Sequence, residues 1–254
     1  MKNKLICGDT IEELKKLPDS LVDLIVTSPP YNCNFKYDNW DDNLPWEEYL
    51  SWCRTWISEC HRVLKDDGRI CINVLVEMGV EGNTRRVSPM QEFLMMYQEL
   101  GIKSMGTGMW LDKTRGKLTA WGSWQSASAP YIYTAYEAVL MGYKKFGKKQ
   151  TKGEDTISKK DFILGCSASW DFKPETRGLT LACFPVELPK MLVELLSYKG
   201  DLVLDPFVGS GTTALAAKHV GRSYYGIDNS QAYIDIAKSR LAGSRNLFDW
   251  LEED

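Results

Sequence analysis

Apolar and polar positions along this chain alternate between two periodicities. Residues 21–27 and 69–75 are short and almost continuously apolar, as in strands buried on both faces of a sheet. Residues 46–64 carry apolar side chains at helical spacing and stop at Asp66-Asp67-Gly68. The same criteria predict strands at 137–142, 201–204 and 223–227. They predict helices at 10–17, 186–196 and 231–241, and an alanine-rich helix that ends at Val220. This order predicts an α/β fold with a mainly parallel, twisted sheet and helices on both faces.

The strand at 21–27 ends in Ser28-Pro29-Pro30-Tyr31. Two prolines in succession cannot continue a helix or a central strand, so these residues are expected at the carboxyl edge of the sheet. The Ser28 side chain and the Pro29 carbonyl could accept both hydrogens of a ring-conjugated amino group, which would return electron density to its nitrogen. Tyr31 could offer a flat face to a base. A proline-rich turn with a buried tyrosine is the alternative, and it is the better interpretation of an isolated motif of this kind.

A glycine-rich turn follows the strand at 201–204, with the sequence Asp205-Pro206-Phe207-Val208-Gly209-Ser210-Gly211-Thr212-Thr213. Gly209 and Gly211 permit positive φ angles and close approach of a ligand. The turn lacks the GK[ST] of a nucleoside-triphosphate loop and the spacing of a dinucleotide fingerprint. Asp205 is placed to meet an ammonium group, and Asp228, after the next strand, to accept two ribose hydroxyls. That pair suits an adenosyl amino acid; a purely structural turn is the alternative.

Composition narrows the class of protein. The chain has 254 residues, of which 44% are hydrophobic and 26% charged, which suits one α/β domain with an insertion or two small domains. It contains no apolar run of the roughly 20 residues that span a membrane and no signal-peptide pattern, so a cytoplasmic location is expected. Seven cysteines without a CxxC pair and two histidines predict free thiols and no metal site.

The net charge of −3 means that any contact with nucleic acid must depend on local basic patches. Five lysines form the obvious candidate: Lys144, Lys145, Lys148, Lys149 and Lys152. A lysine run is also typical of a solvated loop.

Taken together, the Ser28 and Asp205 motifs resemble the amino-methyltransferases of DNA restriction–modification systems. Further segments match that family: Gly8-Asp9 before Leu14 and Leu17, Asp67-Gly68-Arg69-Ile70-Cys71-Ile72-Asn73, Trp121-Gly122-Ser123-Trp124 with Pro130 and Glu137, Trp170-Asp171, and Phe184-Pro185-Val186-Glu187-Leu188-Pro189. The resemblance covers nearly the whole chain. The catalytic motif precedes the cofactor motif, which is the circularly permuted order of the β group.

The resemblance implies one catalytic domain over 1–254 with a Rossmann-like methyltransferase fold, one reversed strand and S-adenosyl-L-methionine as cofactor. It assigns catalysis on a flipped-out base to Ser28, Pro29, Pro30 and Tyr31. It assigns cofactor contacts to Asp9, Phe184, Pro185, Asp205, Phe207, Gly209, Gly211, Thr212 and Asp228. It places the recognition insertion for double-stranded DNA at about 143–169, which holds the five lysines. Further candidate DNA contacts are Arg85, Arg86, Lys113, Arg115 and Lys117. A cognate restriction endonuclease is an implied partner, and a homodimer is left open.

Within this family, the serine form of the catalytic motif is typical of N(4)-cytosine methylation, and the aspartate form of N(6)-adenine methylation. The Trp121-Gly122-Ser123-Trp124 segment also resembles the cytosine enzymes. N(4)-cytosine is therefore the preferred target and N(6)-adenine the alternative. Methylation of carbon five is excluded because no Pro-Cys pair supplies its nucleophile. An RNA or protein methyltransferase and an inactive DNA-binding subunit are the remaining alternatives.

Overall fold

The computed structural model describes residues 2–80, 85–111, 122–132, 134–173 and 184–243. The strands are β1 Lys4–Cys7, β2 Val22–Thr27, β3 Leu64–Leu75, β4 Met78–Val80, β5 Arg85–Val87, β6 Lys103–Leu111, β7 Tyr136–Tyr143, β8 Ser169–Trp170, β9 Leu202–Asp205 and β10 Ser223–Asp228. The helices are α1 Thr10–Lys15, α2 Trp46–Val63, α3 Pro89–Glu99, α4 Lys159–Cys166, α5 Glu187–Leu196, α6 Thr212–His219 and α7 Gln231–Gly243.

Eight strands form the main sheet in the order β1-β10-β9-β2-β3-β7-β6-β8. Neighbouring strands run parallel from β1 to β3, while β7 runs antiparallel to both β3 and β6. Among the described strands of this sheet, β7 alone is reversed. The expected α/β class, with its mainly parallel sheet, is confirmed.

Alternate residues of the central strands fill two separate cores. Ile25 and Ile70 pack with α1, α2 and α3 on one face, around the fully buried Trp56. Leu24 and Cys71 pack on the other face, with α5 and the end of α6. Because both faces are covered, β2 is buried along its whole length, which explains its nearly unbroken apolar sequence.

The chain leaves the middle of the sheet in opposite directions. Strand β9 connects through α6 to β10 on one side, and its neighbour β2 connects through α2 to β3 on the other. Such a switch point opens a crevice beyond the carboxyl ends of the two strands, and α/β proteins bind ligands there. The glycine-rich turn and the Ser28 motif both begin at this crevice.

The sequence patterns did not predict several of the observed elements. Strand β6 is one, because Gly106 and Gly108 interrupt its alternation. Gly108 is required by packing, since a Cβ atom there would lie 2.0 Å from the indole Cη2 of Trp170. Strand β1 and helix α3 are also present without having been predicted. None of the described helices is both long and apolar enough to cross a membrane.

The lysine-rich stretch lies at the edge of the sheet opposite to the crevice. Because β7 is reversed, its last residue, Tyr143, pairs with Arg69 at the beginning of the parallel run of β3. Two of the five lysines are committed to the fold. Lys144 Nζ donates to the carbonyls of Arg62 and Leu64 at the end of α2, at 3.1 and 2.8 Å.

Lys149 is the second lysine committed to the fold. Its side chain is only 5% exposed and lies 3.2 Å from Asp201 and 3.8 Å from Asp23. Lys145 pairs with Asp66, while Lys148 and Lys152 are exposed. The expected DNA-binding patch is therefore not a continuous basic surface, and it does not border the crevice.

The predicted recognition insertion at 143–169 packs against the rest of the domain and is hydrogen-bonded to it. The amide of Lys199 donates to the carbonyl of Glu154 at 3.0 Å, and buried Arg222 donates to Thr156 Oγ1 at 2.5 Å. Helix α4 packs on α5, and β8 extends the sheet beside β6. These contacts give the segment a structural role, and its part in target recognition stays a prediction of the family resemblance.

A matched pair of substitutions tests the structural role of Lys149. We expect Lys149→Met to lower the free energy of unfolding by about 2–4 kcal/mol, because it leaves Asp201 and Asp23 buried without their shared cation. Lys148→Met, at the exposed neighbouring position, should change it by less than about 0.5 kcal/mol. Urea denaturation of both variants measures the difference. Equal, small effects would show that Lys149 is not structural.

Candidate active site

A cleft that is open to solvent lies beyond the carboxyl ends of β1, β10, β9 and β2. Turns after all four strands contribute to it, together with α2, α7 and the loop that follows the Ser28 motif. Its lining residues are Asp9, Thr10, Ser28, Pro30, Tyr37, Asp38, Trp40, Trp52, Phe207, Gly209, Asp228, Asn229, Ser230 and Tyr233.

The two glycines of the turn after β9 serve different purposes. Gly209 has a φ of +49°, and a Cβ atom there would meet nothing within 4 Å, so bare backbone faces the cleft. Gly211 has a φ of +85°, and a Cβ atom there would lie 2.7 Å from Ala237 Cβ. Gly211 therefore permits α6 and α7 to pack, while Gly209 permits a ligand to approach the backbone.

Asp228 ends β10 at the floor of the cleft. Its carboxylate accepts the amide hydrogens of Gly209 and Ser230, each at 2.9 Å. Burial raises the pKa of this carboxyl above its ordinary value, and these two amides oppose that effect. Each oxygen keeps acceptor capacity for a hydroxyl group in the cleft.

Asp205 is 4% exposed and lies beneath the glycine-rich turn. It is absent from the cleft lining, contrary to the expectation that it faces a ligand's ammonium group. Its Oδ1 accepts the hydroxyl of Thr27 at 2.7 Å and the amide of Phe207 at 3.1 Å. Burial raises the pKa of Asp205 to about 6. The carboxylate thus joins the end of β9 to the end of β2, immediately before Ser28.

The Ser28 motif brings two residues to the cleft. Ser28 and Pro30 line it, while Pro29 is buried. The Pro30 carbonyl accepts the hydroxyl of Tyr49 at 2.8 Å. The Pro29 carbonyl accepts a hydrogen bond from none of the described residues, which leaves it available to a ligand.

Tyr31 is buried in the core, with 8% of its surface exposed, so it does not offer the expected open face to a base. Its hydroxyl lies 2.6 Å from Ser28 Oγ and 3.0 Å from Glu137 Oε2. Asn73 Nδ2 donates both to this hydroxyl, at 2.9 Å, and to Glu137 Oε2. Glu137 and Asn73 are 5% and 4% exposed, so Ser28 stands at the end of a buried polar chain.

The loop at 33–44 covers the cleft. Asp42, 2% exposed, accepts the amides of Asn32, Cys33 and Phe35 at 2.9–3.0 Å and holds the loop in shape. Two contacts fasten the loop to the segment after β10. Asn39 and Asn229 exchange side-chain to carbonyl hydrogen bonds at 3.0 and 3.1 Å, and Ser230 Oγ donates to Asp38 at 2.7 Å.

Aromatic rings form one wall of the cleft. Trp40 and Trp52 have ring centroids 4.3 Å apart, and Phe207 lies 5.5 Å from Trp52 and 5.1 Å from Trp56. Of this wall, the sequence predicted Phe207 but not Trp40, Trp52 or Trp56, and it also missed Tyr37, Asp38, Asn229, Ser230 and Tyr233. The aromatic density directly after the Ser28 motif was the available signal.

The predicted cofactor residues separate into three groups. Asp9, Phe207, Gly209 and Asp228 line the cleft. Gly211, Thr212 and Asp205 are buried behind it. Phe184 and Pro185 are absent from the lining, and Phe184 packs against the core beneath α5.

Among the described residues, none of those that line the cleft is a lysine or an arginine. Arg85 and Arg86 are exposed on β5, and the predicted contacts Lys113, Arg115 and Lys117 lie outside the described residues, as does Trp121. Within the described part of the chain, no group of three or more His, Cys, Asp or Glu side chains could hold a metal ion.

The sequence profile of a DNA methylase family matches residues 22–239. The Type II methyltransferase M.MjaVI of Methanocaldococcus jannaschii is 38% identical over 162 residues, which cover 63% of this chain and 81% of the relative. The Type II methyltransferase M.HpaI of Haemophilus parainfluenzae is 33% identical, over 100% of this chain and 78% of the relative.

Solved structures agree with these sequence matches. A Thermus thermophilus protein described as a DNA modification methylase, complexed with S-adenosyl-L-methionine, is 29% identical with a TM-score of 0.77, covering 97% of each chain. The cytosine-N4-specific PvuII DNA methyltransferase is 21% identical with a TM-score of 0.73, covering 94% of this chain and 86% of that one. The second comparison establishes a shared fold.

The raised pKa of Asp205 has a measurable effect on stability. In the unfolded chain this carboxyl titrates near its ordinary pKa of about 3.9, and in the folded protein near 6. The folded state therefore binds its proton more tightly, and the contribution of this group to stability falls as the pH rises from about 4 to about 6.

Urea unfolding of the wild type and of Asp205→Asn, which cannot titrate, isolates this contribution. Between pH 4.5 and 7 the wild type should lose on the order of 2 kcal/mol relative to the variant, with little change at higher pH. A relative stability that rises with pH would mean that the pKa of Asp205 is lowered instead.

Proposed function

Because the chain belongs to the DNA methylase family that matches residues 22–239, we propose that it transfers a methyl group from S-adenosyl-L-methionine to the exocyclic amino group of a cytosine in duplex DNA. The product would be N(4)-methylcytosine. The observation that carries this proposal is the position of Ser28. It follows β2, borders the cleft beside Asp228 and Gly209, and is held at the end of a buried hydrogen-bond chain.

The cleft suits S-adenosyl-L-methionine on its own chemistry. Asp228 can accept the two ribose hydroxyls, and the open space at Gly209 lets the nucleoside approach the backbone. The aromatic wall of Trp40, Trp52 and Phe207 offers an apolar surface on the other side. When bound, the cofactor supplies a methyl group activated by the positive charge on its sulfur. The complex of the Thermus thermophilus relative supports this assignment.

The chain's contribution to methyl transfer is to hold and activate the amino group. The lone pair of an amino group on a base ring is delocalised into the ring, so its nitrogen is a weak nucleophile. Ser28 Oγ and the Pro29 carbonyl are two acceptors that can each take one amino hydrogen and return density to the nitrogen. Holding the nitrogen in line with the methyl group supplies much of the rate. The nitrogen becomes strongly acidic once it is methylated, and it then releases its proton.

Cytosine is preferred because the motif begins with serine, the form that is typical of cytosine amino methylation in the family it resembles. We further propose that the base leaves the stack to reach Ser28, because pairing and stacking within the duplex keep its amino nitrogen from being held in line with the methyl group. The buried ring of Tyr31 means that a stacking partner for the base must come from a movement of this loop or from other side chains.

DNA should approach the edge of the sheet that carries the cleft. Arg85 and Arg86 on β5 lie beyond the carboxyl end of β3 and are exposed. We propose them as backbone contacts in addition to the five lysines, with Arg86 exchanging its ion pair with Glu77, at 2.8 Å, for one with a phosphate. A cognate restriction endonuclease and self-association stay predictions of the family resemblance.

The direct test is transfer of labelled methyl groups from S-adenosyl-L-methionine to unmethylated DNA, followed by nucleoside mass spectrometry. We expect N(4)-methylcytosine. N(6)-methyladenine would keep the cofactor and fold but overturn the choice of base. Label on RNA or protein alone, or binding of DNA and cofactor without transfer, would overturn the proposed activity.

Ser28→Ala removes one of the two acceptors for the amino group. We expect the single-turnover rate of methyl transfer to fall by about 10- to 100-fold, the value of one hydrogen bond made to a developing charge. The dissociation constant for the cofactor should stay within about twofold. Ser51→Ala, on the exposed side of α2, is the control. A normal rate in Ser28→Ala would refute the role of Ser28.

Asp228→Asn tests the cofactor site. Neutralising this carboxylate should raise the dissociation constant for S-adenosyl-L-methionine by about 10- to 100-fold in calorimetry, because charge-assisted hydrogen bonds to the ribose are weakened. Asp235→Asn, at an exposed position of α7, should leave it unchanged. The assignment fails if the two variants bind the cofactor equally well.

A further inference from the structure

The hydrogen-bond chain behind Ser28 has a direction, and a single buried side chain sets it. Glu137 begins this chain at the amino end of β7. It is 5% exposed, and one of its oxygens, Oε2, receives both the Tyr31 hydroxyl and Asn73 Nδ2. Tyr31 and Asn73 both donate to Glu137, so Oε2 is the acceptor at this end of the chain.

The acceptor at Glu137 dictates the orientation of the Tyr31 hydroxyl. This hydroxyl has one proton and two lone pairs. Its proton goes to Glu137 at 3.0 Å, and one lone pair takes the amide hydrogen of Asn73 at 2.9 Å. The second lone pair faces Ser28 Oγ at 2.6 Å, so Ser28 must be the donor in that contact.

The orientation of the Asn73 amide is fixed by the same contacts. With Nδ2 turned toward Glu137 and Tyr31, it donates to both. The opposite orientation would place its carbonyl oxygen against the carboxylate, which is repulsive. Asn73 therefore reinforces the direction of the chain rather than competing with it.

We infer that Glu137 is a positioning residue that determines specificity by fixing the hydrogen-bond polarity of Ser28. The Ser28 proton is committed to Tyr31, so its lone pairs alone face the cleft. Ser28 is then complementary to an amino group, which donates, and not to a ring carbonyl, which accepts. When a base carries a carbonyl oxygen in place of the amino group, the lone pairs of that oxygen face the lone pairs of Ser28 Oγ, and the two atoms repel each other.

This inference rests on the proposed function and deepens it, and it holds for either candidate base. It explains why a neutral serine can select cytosine over uracil, or adenine over hypoxanthine, before any chemistry takes place. It also gives Tyr31 a role that needs no exposed ring face.

The test uses three variants of the full chain, on a duplex whose target site has been mapped by methylation. Glu137→Met removes the acceptor, Glu137→Gln keeps a neutral acceptor, and Tyr31→Phe removes the link between Glu137 and Ser28. We expect the single-turnover rate to fall about 10- to 100-fold in Glu137→Met and Tyr31→Phe, and less in Glu137→Gln. The dissociation constant for the cofactor should not change.

The double variant Tyr31→Phe/Glu137→Met distinguishes this route from a general effect on the fold. If Glu137 acts through Tyr31, the second substitution adds little to the first, whereas independent effects multiply. If Glu137→Met does not fold, Glu137→Gln takes its place, and the double variant is then Tyr31→Phe/Glu137→Gln.

The hydrogen-bond polarity of Ser28 is measured by comparing the binding of two duplexes that differ only in the amino or keto group of the target base. The wild type should bind the duplex with the amino base at least about tenfold more tightly than the duplex with its keto counterpart. Tyr31→Phe should lose most of that preference, because its Ser28 can turn and donate. Unchanged discrimination and normal rates in these variants, beside an active wild type, would overturn the inference alone. Absence of methyl transfer by the wild type would instead overturn the proposed function.

Discussion

The hydrogen bond between Thr27 and Asp205 holds together the two halves of the candidate site. These residues end neighbouring strands from which the chain departs in opposite directions, so the catalytic loop and the glycine-rich turn begin beside each other. A buried carboxylate is costly unless donors surround it. Asp205 offsets this cost by taking the Thr27 hydroxyl and the Phe207 amide, one from each half of the site. The spacing between the proposed methyl donor and acceptor is therefore set in the core of the sheet.

Buried or half-buried carboxylates also hold the loops around the cleft in place by accepting hydrogen bonds. Asp228 gathers amides from the glycine-rich turn and from the segment after β10, and Asp42 gathers three from the covering loop. Glu137 organises side chains instead of backbone. Each carboxylate accepts hydrogen bonds and so fixes its neighbours in the donor role. Such a site is preorganised, because its dipoles are oriented before a ligand arrives.

The sequence predicted the parts of the fold that are encoded locally. Strands β2 and β9 are apolar because both of their faces are buried, and their ends are marked by prolines and glycines. Strand direction is not encoded in this way. Residues 137–142 were predicted as a strand, but periodicity is the same for either direction, and the reversal of β7 moved the lysine-rich stretch to the far edge. The burial of Lys149 between two aspartates depends on contacts far apart in sequence.

Site residues followed the same rule. Asp228 and Gly209 were predicted from a motif and line the cleft, whereas Asp38, Trp40 and Ser230 come from loops whose meeting depends on the folded chain. The covering loop and the Glu137 chain were therefore beyond local reasoning. We propose that one sheet edge brings cofactor and target base together at Ser28. A crystal structure with S-adenosyl-L-homocysteine and duplex DNA would show whether it does. We expect the cofactor's ribose on Asp228 and the target amino nitrogen within hydrogen-bonding distance of Ser28 Oγ and the Pro29 carbonyl. A target base held elsewhere, with Ser28 facing solvent, would refute this arrangement.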